Sequence, residues 1–113
     1  MNGLAVDKKN NRLVYTSSDF TVVCVSMDGK EIFSYKDDQM ENVTSVVVDL
    51  HGLIFAGDEA GRVHLISEDG NHRKTLIEKC EKISKVCDIW LDNEEKRLFV
   101  CGNDSVEVYC LTS

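Results

Sequence analysis

The sequence SVVVD at residues 45–49 decides the fold, because it recurs in altered form on either side. GLAVD occupies residues 3–7 and DIWLD occupies residues 88–92, so the closing aspartates lie 42 and 43 residues apart. Each segment is a short apolar run ended by an aspartate, a residue that favours turns. A period between 20 and 50 residues indicates a repeat architecture in which one unit packs against copies of itself.

Further runs keep the same period. A second apolar and aromatic run aligns residues 13–17, 53–57 and 98–102, a third aligns 22–26, 63–67 and 106–110, and a weaker fourth aligns 31–35 with 73–77. Each run is too short for a helix and is bounded by turn residues, which predicts strands. Asp28-Gly29 and Asp69-Gly70 predict hairpin turns with positive φ between the third and fourth strands.

Four short strands joined by tight turns form one antiparallel sheet, and such a unit repeated around an axis is typical of a β-propeller blade. We therefore predict an all-β partial β-propeller of about 2.7 four-stranded antiparallel blades, about half of a six-bladed ring. The predicted blades are about 3–44, 45–87 and 88–113, and the third lacks its fourth strand. Residues 78–83 could form a helical turn, and we assign them to a loop between blades.

The units resemble NHL repeats. An apolar run ending in Val-Asp at 3–7, an aromatic-containing second strand at 13–15 and a third strand closing on Asp-Gly at 22–29 carry most of this resemblance. The chain is most similar to the C-terminal propellers of tripartite-motif (TRIM) proteins, which select partners for ubiquitin transfer or bind RNA. The resemblance implies the substrate- or partner-binding propeller of a TRIM-like E3 ubiquitin ligase, with the ligase activity in a RING domain outside this chain.

Two alternatives remain open. Residues 12–18, RLVYTSS, are similar to a degenerate Tyr-Trp-Thr-Asp blade of the low-density-lipoprotein receptor group, which is also six-bladed. Some six-bladed propellers are calcium-dependent hydrolases or lactonases that hold the ion in the central tunnel through carboxylates and amides. We expect a non-catalytic protein-interaction module, with no cofactor, that binds a protein partner through loops on one face of the ring.

Composition narrows the choice of partner. The chain has 13 Lys and Arg against 20 Asp and Glu, for a formal net charge of −7. A chain this acidic is repelled by a phosphate backbone unless it carries a local basic patch, which disfavours nucleic acid. Its apolar runs are only a few residues long, whereas a membrane-spanning helix needs about 20. The sequence therefore predicts no transmembrane segment and no membrane partner.

Cysteine and histidine usage gives little sign of chemistry. The five cysteines are odd in number and fit no C-x2-C pattern, which predicts small buried side chains with free thiols in a reducing, cytoplasmic environment: Cys24, Cys80, Cys87, Cys101 and Cys110. Three histidines, His51, His64 and His72, show no i, i+4 pair and no nearby carboxylate motif. We predict no histidine-based metal or catalytic site. The cluster His72-Arg73-Lys74 predicts a solvated edge strand.

Two residues are weak candidates for binding. The starts of the first strands align as Gly3, Ser45 and Asp88, so Asp88 offers the one tunnel-facing carboxylate, and we expect a tunnel or turn residue rather than a calcium ligand. Trp90 replaces Ala5 and Val47, and it either contacts a ligand at the tunnel mouth or packs between blades.

The blade count leaves a face uncovered at each end of the stack. A closed propeller has four to eight blades, and exposed apolar faces are sites of interaction or aggregation. Three explanations are open: the remaining blades lie upstream in a longer protein, the gene model is truncated, or copies associate. Two copies could close a six-bladed ring.

Overall fold

The computed structural model describes residues 3–17, 19–38, 40–78, 80 and 82–111. Within these residues every regular element is a strand, which confirms the all-β prediction: β1 (Leu4–Asp7), β2 (Arg12–Thr16), β3 (Val22–Ser26), β4 (Glu31–Tyr35), β5 (Val43–Val48), β6 (Ile54–Asp58), β7 (Val63–Ile66), β8 (Arg73–Ile77), β9 (Asp88–Asp92), β10 (Arg97–Cys101) and β11 (Val106–Cys110). No helix of the described part is long and apolar enough to cross a membrane.

The strands form three antiparallel sheets that correspond to the predicted blades. Blade 1 has the order β1-β2-β3-β4, blade 2 the order β5-β6-β7-β8, and blade 3 contains β9, β10 and β11. β5 begins at Val43, so the predicted boundary between blades 1 and 2 lies inside that strand. The segment 82–87 is irregular, as are Glu78 and Cys80, while Lys79 and Glu81 lie outside the described residues.

Turn chemistry follows the sequence closely. Gly29 and Gly70 have φ of 90° and 76°, which confirms the two predicted hairpin turns. The carboxylate of Asp49 accepts hydrogen bonds from the amides of His51 and Leu53, at 2.8 and 2.9 Å. Asp7 and Asp92 close their turns in the same way through backbone amides two or three residues on. The repeated aspartates are therefore turn formers, as predicted.

One alignment made from the sequence is wrong by a residue. Cα partners in blade 1 are Asp7 with Arg12, and those in blade 3 are Asp92 with Arg97. In blade 2 the amide of Asp49 bonds to the carbonyl of Leu53, so Leu53 takes the place of Arg12. The β5–β6 loop is one residue shorter than its counterparts, and apolar composition alone could not show which residue was lost.

The core consists of two layers, each between adjacent blades. We call the face of a blade that packs on the following blade its forward face, and the opposite one its rear face. Forward residues of blade 1 and rear residues of blade 2 form the first layer: Val14, Val22, Cys24, Val46, Ile54 and Ile66. Forward residues of blade 2 and rear residues of blade 3 form the second: Phe55, Val63, Ile89, Leu98 and Val100. Each such side chain contributes about 1.5–3 kcal/mol of stability on burial.

Candidate binding site

A groove of about 440 Å³ opens between blades 2 and 3, on the ring face that carries the β5–β6 and β9–β10 loops. Its apolar lining comes from Leu50, Leu53, Phe55, Leu65, Leu76 and Leu91, with Leu111 at the end of blade 3. His51, Asp92 and Lys96 supply polar groups to the lining. Concave, mostly apolar sites with a few polar groups are the usual form of a binding pocket.

The groove lies at the position equivalent to the one where the described residues of blades 1 and 2 make a polar contact across their own boundary. Between blades 1 and 2, Arg12 donates to the carbonyl oxygen of Glu68, and Lys9 and Asn10 bind the Glu68 carboxylate at 3.2 and 3.0 Å. Between blades 2 and 3 the place of Arg12 is taken by Leu53, and strand register puts Leu111 in the place of Glu68. Apolar side chains therefore line the groove where charged ones link the first pair of blades.

The two binding candidates from the sequence lie elsewhere, on the forward face of blade 3. Trp90 is 58% exposed, and its ring lies 5.3 Å from that of Phe99 on the neighbouring strand. Asp88 is exposed, and its carboxylate accepts a hydrogen bond from the Ile89 amide at 2.9 Å. The structure thus brings Asp88 and Trp90 onto one face of β9, but neither residue lines the groove. One role considered for Trp90 was packing between blades, but no blade in the described part of the chain packs against it.

A buried polar chain crosses the boundary between blades 1 and 2. Nε2 of His64 lies 2.8 Å from Oδ2 of Asp58, and Nδ1 of His64 lies 3.2 Å from the guanidinium of Arg73. Arg73 in turn donates to Asp37 of blade 1 at 3.2 Å. Since the guanidinium can only donate, Nδ1 accepts and Nε2 donates to Asp58. The chain therefore links the two blades through groups whose directions are all fixed.

Electrostatics agree with this assignment. Burial by itself raises the pKa of Asp58, but hydrogen bonds from His64 and from the Arg62 and Glu41 amides outweigh it and lower the pKa below 3.8. The Asp58 carboxylate is thus charged and well solvated by protein groups. Among the described residues, no group of three or more His, Cys, Asp or Glu side chains could hold a metal ion.

Sequence reasoning missed this network. The sequence shows no carboxylate motif near His64, yet the structure pairs His64 with Asp58, and both side chains are fully buried. β8 is an edge strand with His72 and Lys74 exposed, as predicted, but Arg73 is half-buried and forms an ion pair with Asp37 of blade 1. The one signal in the sequence was that His64 takes the position that Val23 has in blade 1. Its partners Asp58 and Arg73 lie six and nine residues away along the chain.

No family model matches the sequence, and no curated protein matches it significantly in sequence. Solved structures do match in fold. A chain from the crystal structure of a nidogen/laminin complex superposes with a TM-score of 0.80 at 18% identity, over 94% of this chain and 42% of that one. A gluconolactonase from Xanthomonas campestris superposes with a TM-score of 0.75 at 18% identity, over 95% of this chain and 36% of that one.

The fold is a partial β-propeller. The chain spans less than half the length of either of these structures. The likeness confirms the propeller prediction, while the finer resemblance to NHL and TRIM proteins finds no counterpart in these two neighbours. The expectation that the chain is not an enzyme is contradicted, since a gluconolactonase has the same fold.

Proposed function

We propose that this chain is part of a protein-binding propeller and that the groove between blades 2 and 3 receives an apolar side chain of the partner. The observation that carries the proposal is the replacement of the polar contact around Arg12 and Glu68 by the leucine-lined groove at Leu53 and Leu111. A solved structure of the same fold comes from a protein–protein complex, which supports a partner of this kind.

Charge and shape describe the partner segment. The groove reaches the end of β11, the edge strand of blade 3, at Cys110 and Leu111, and its volume of about 440 Å³ leaves space for an apolar side chain. The chain carries a net charge of −7, which favours approach of a basic protein. The partner segment we propose is extended, bears one or two large apolar side chains, and has lysine or arginine nearby. Five free thiols support our further proposal that this binding takes place in the reducing cytoplasm.

A matched pair of variants tests the groove. Leu50 lines it and is 61% exposed, whereas Leu4 is 57% exposed and lies on blade 1, away from the groove. Peptides are selected from a random library on the immobilised chain, and their affinities are measured by fluorescence anisotropy. We expect selected peptides with apolar and basic residues to lose at least tenfold in affinity with Leu50→Glu and to keep it with Leu4→Glu. Equal binding to both variants, or no selection at all, contradicts the proposal.

A lactone hydrolase is the second candidate, because the fold is shared with the gluconolactonase. Hydrolysis of glucono-δ-lactone by the purified chain, followed with a pH indicator with and without added calcium, tests it directly. Turnover above the spontaneous rate supports this function, and a rate equal to that of the buffer excludes it for this substrate.

A further inference from the structure

We infer that a second copy of this chain binds head to tail, with the rear face of its blade 1 against the forward face of blade 3. Equivalent positions in the three blades provide the first evidence. Val22 and Val63 occupy one position of blades 1 and 2 and have no exposed surface, whereas Val106 at that position of blade 3 is 60% exposed. Blade 2 packs over Val22 and blade 3 packs over Val63, whereas no blade in the described part of the chain packs over the forward face of blade 3.

The rear faces show the complementary pattern. Leu4 of blade 1 is 57% exposed, but Val46 and Ile89, at the same position of blades 2 and 3, are only 5% and 3% exposed. Each blade boundary buries one forward and one rear face. A stack of three blades therefore exposes one forward face and one rear face. Faces of these two kinds pack against each other at both blade boundaries of the chain.

Polar groups on the forward face of blade 3 are also arranged for such a contact. Asp7 and Arg12 form an ion pair on the forward face of blade 1, and Arg12 reaches the carbonyl of Glu68 in the hairpin turn of blade 2. Asp92 and Arg97 form the same pair on blade 3, at 3.2 Å, with Arg97 exposed. The turn at residues 26–29 of blade 1 has the same hydrogen bonds as the one at 67–70. Its Met27 carbonyl, in a second copy, is the matching acceptor for Arg97.

The hairpin-turn glycines of blades 1 and 2 show that the rear face of blade 1 is also uncovered. A β-carbon at Gly70 would lie 2.5 Å from the ring of Phe33, because blade 1 packs against this turn. A β-carbon at the equivalent Gly29 would have no atom within 4 Å. Blade 1 packs against the turn at Gly70 of blade 2. The equivalent turn at Gly29 of blade 1 has open space at that position.

Two such contacts related by a two-fold axis close a ring. This chain covers 42% and 36% of the two structural neighbours, so twice its length amounts to most of either neighbour chain. Cyclic closure leaves no terminal apolar face exposed, which an open stack cannot achieve. The proposal concerns faces of the blades and does not depend on the proposed groove.

Sedimentation of the full chain over a range of concentrations tests the inference. We expect a species of twice the 12.7 kDa chain mass. Trp90→Glu lies on the forward face of blade 3, and Leu4→Glu lies on the rear face of blade 1. Each contact of the ring joins one such forward face to one such rear face, so either substitution alters both contacts and should give monomers. Leu50→Glu should remain dimeric. Circular dichroism of each variant establishes that it is folded.

Mixing distinguishes this dimer from other kinds. A Trp90→Glu chain keeps its rear face and a Leu4→Glu chain keeps its forward face, so the mixture retains one intact contact and should form a 1:1 complex. Failure of the mixture to associate overturns the proposal, and so does a folded wild-type monomer at about 100 μM. A dimer that only one of the two variants disrupts, or an open-ended series of larger oligomers, overturns it as well.

Discussion

Nε2 of His64 donates to Oδ2 of Asp58 over 2.8 Å, and neither side chain has any exposed surface. This pair ties β6 to β7 within blade 2, and Arg73 extends it to Asp37 of blade 1. A buried charge that loses one partner keeps its desolvation penalty, so such pairs are sensitive to one-sided replacement.

His64→Leu should therefore destabilise the fold strongly. The substitution removes the histidine donor from the charged, buried Asp58 carboxylate, and we expect a loss of about 1.5–3 kcal/mol in the free energy of unfolding. Urea denaturation followed by circular dichroism measures it. His72→Leu is the control, because His72 is exposed, and surface substitutions usually change stability by about 0.5 kcal/mol or less. A loss below about 1 kcal/mol for His64→Leu would show that the pair is not important for stability.

Stability should also fall in acid through Asp7. Burial raises the pKa of Asp7, but hydrogen bonds from Asn10 and Arg12, together with the Arg12 charge, lower it below 3.8 in the folded chain. The unfolded chain then binds a proton more readily than the folded one. The contribution of Asp7 is complete above its ordinary pKa and is lost as the pH falls through the lower, folded value.

Melting temperatures between pH 6 and pH 2 check this dependence. Asp7→Asn should melt lower than the wild type at pH 6, and the difference should shrink towards pH 2, where the wild-type carboxyl is also protonated. Asp38→Asn, at an exposed site of blade 1, is the control for the loss of one carboxylate. A constant gap between Asp7→Asn and the wild type would rule out this role.

The two turn glycines provide a matched pair. Gly29→Ala and Gly70→Ala both place a β-carbon at positive φ, which costs about 1–2 kcal/mol. Only at Gly70 does that carbon also meet the Phe33 ring, at 2.5 Å. We expect Gly70→Ala to lower the free energy of unfolding clearly more than Gly29→Ala does, in urea titrations. Equal losses would mean that the Phe33 ring moves away without cost.

Thiol reactivity should separate the cysteines by burial. Cys24 and Cys80 have no exposed surface, and burial raises the pKa of both thiols, so little thiolate is available. Cys87 and Cys110 are exposed. In labelling with a disulfide reagent, with the modified residues located by peptide mass spectrometry, we expect Cys87 and Cys110 to react promptly and Cys24 and Cys80 to react only after denaturant is added. Prompt labelling of Cys24 in the Cys87→Ser variant would show that the core layer between blades 1 and 2 opens readily.

The sequence by itself determined the repeat, the strands and the turns of this protein. These features depend on short-range chemistry: apolar runs of about five residues, aspartates that bond amides two or three residues on, and glycines that accept positive φ. The blade count and the antiparallel order of strands followed from them, and the structure has both. The one misplaced alignment, at Leu53, came from a loop that is one residue shorter.

Only the tertiary structure decided which side chains meet across blade boundaries. The contacts of Arg12 with Glu68 and of Arg73 with Asp37 join residues 56 and 36 positions apart, and no local pattern encodes such distances. The same packing places Leu53 in a groove and leaves Trp90 exposed, although both belong to ordinary apolar runs. Strand formation is local, whereas burial depends on which blade lies opposite, so equivalent residues such as Val22 and Val106 differ completely in exposure.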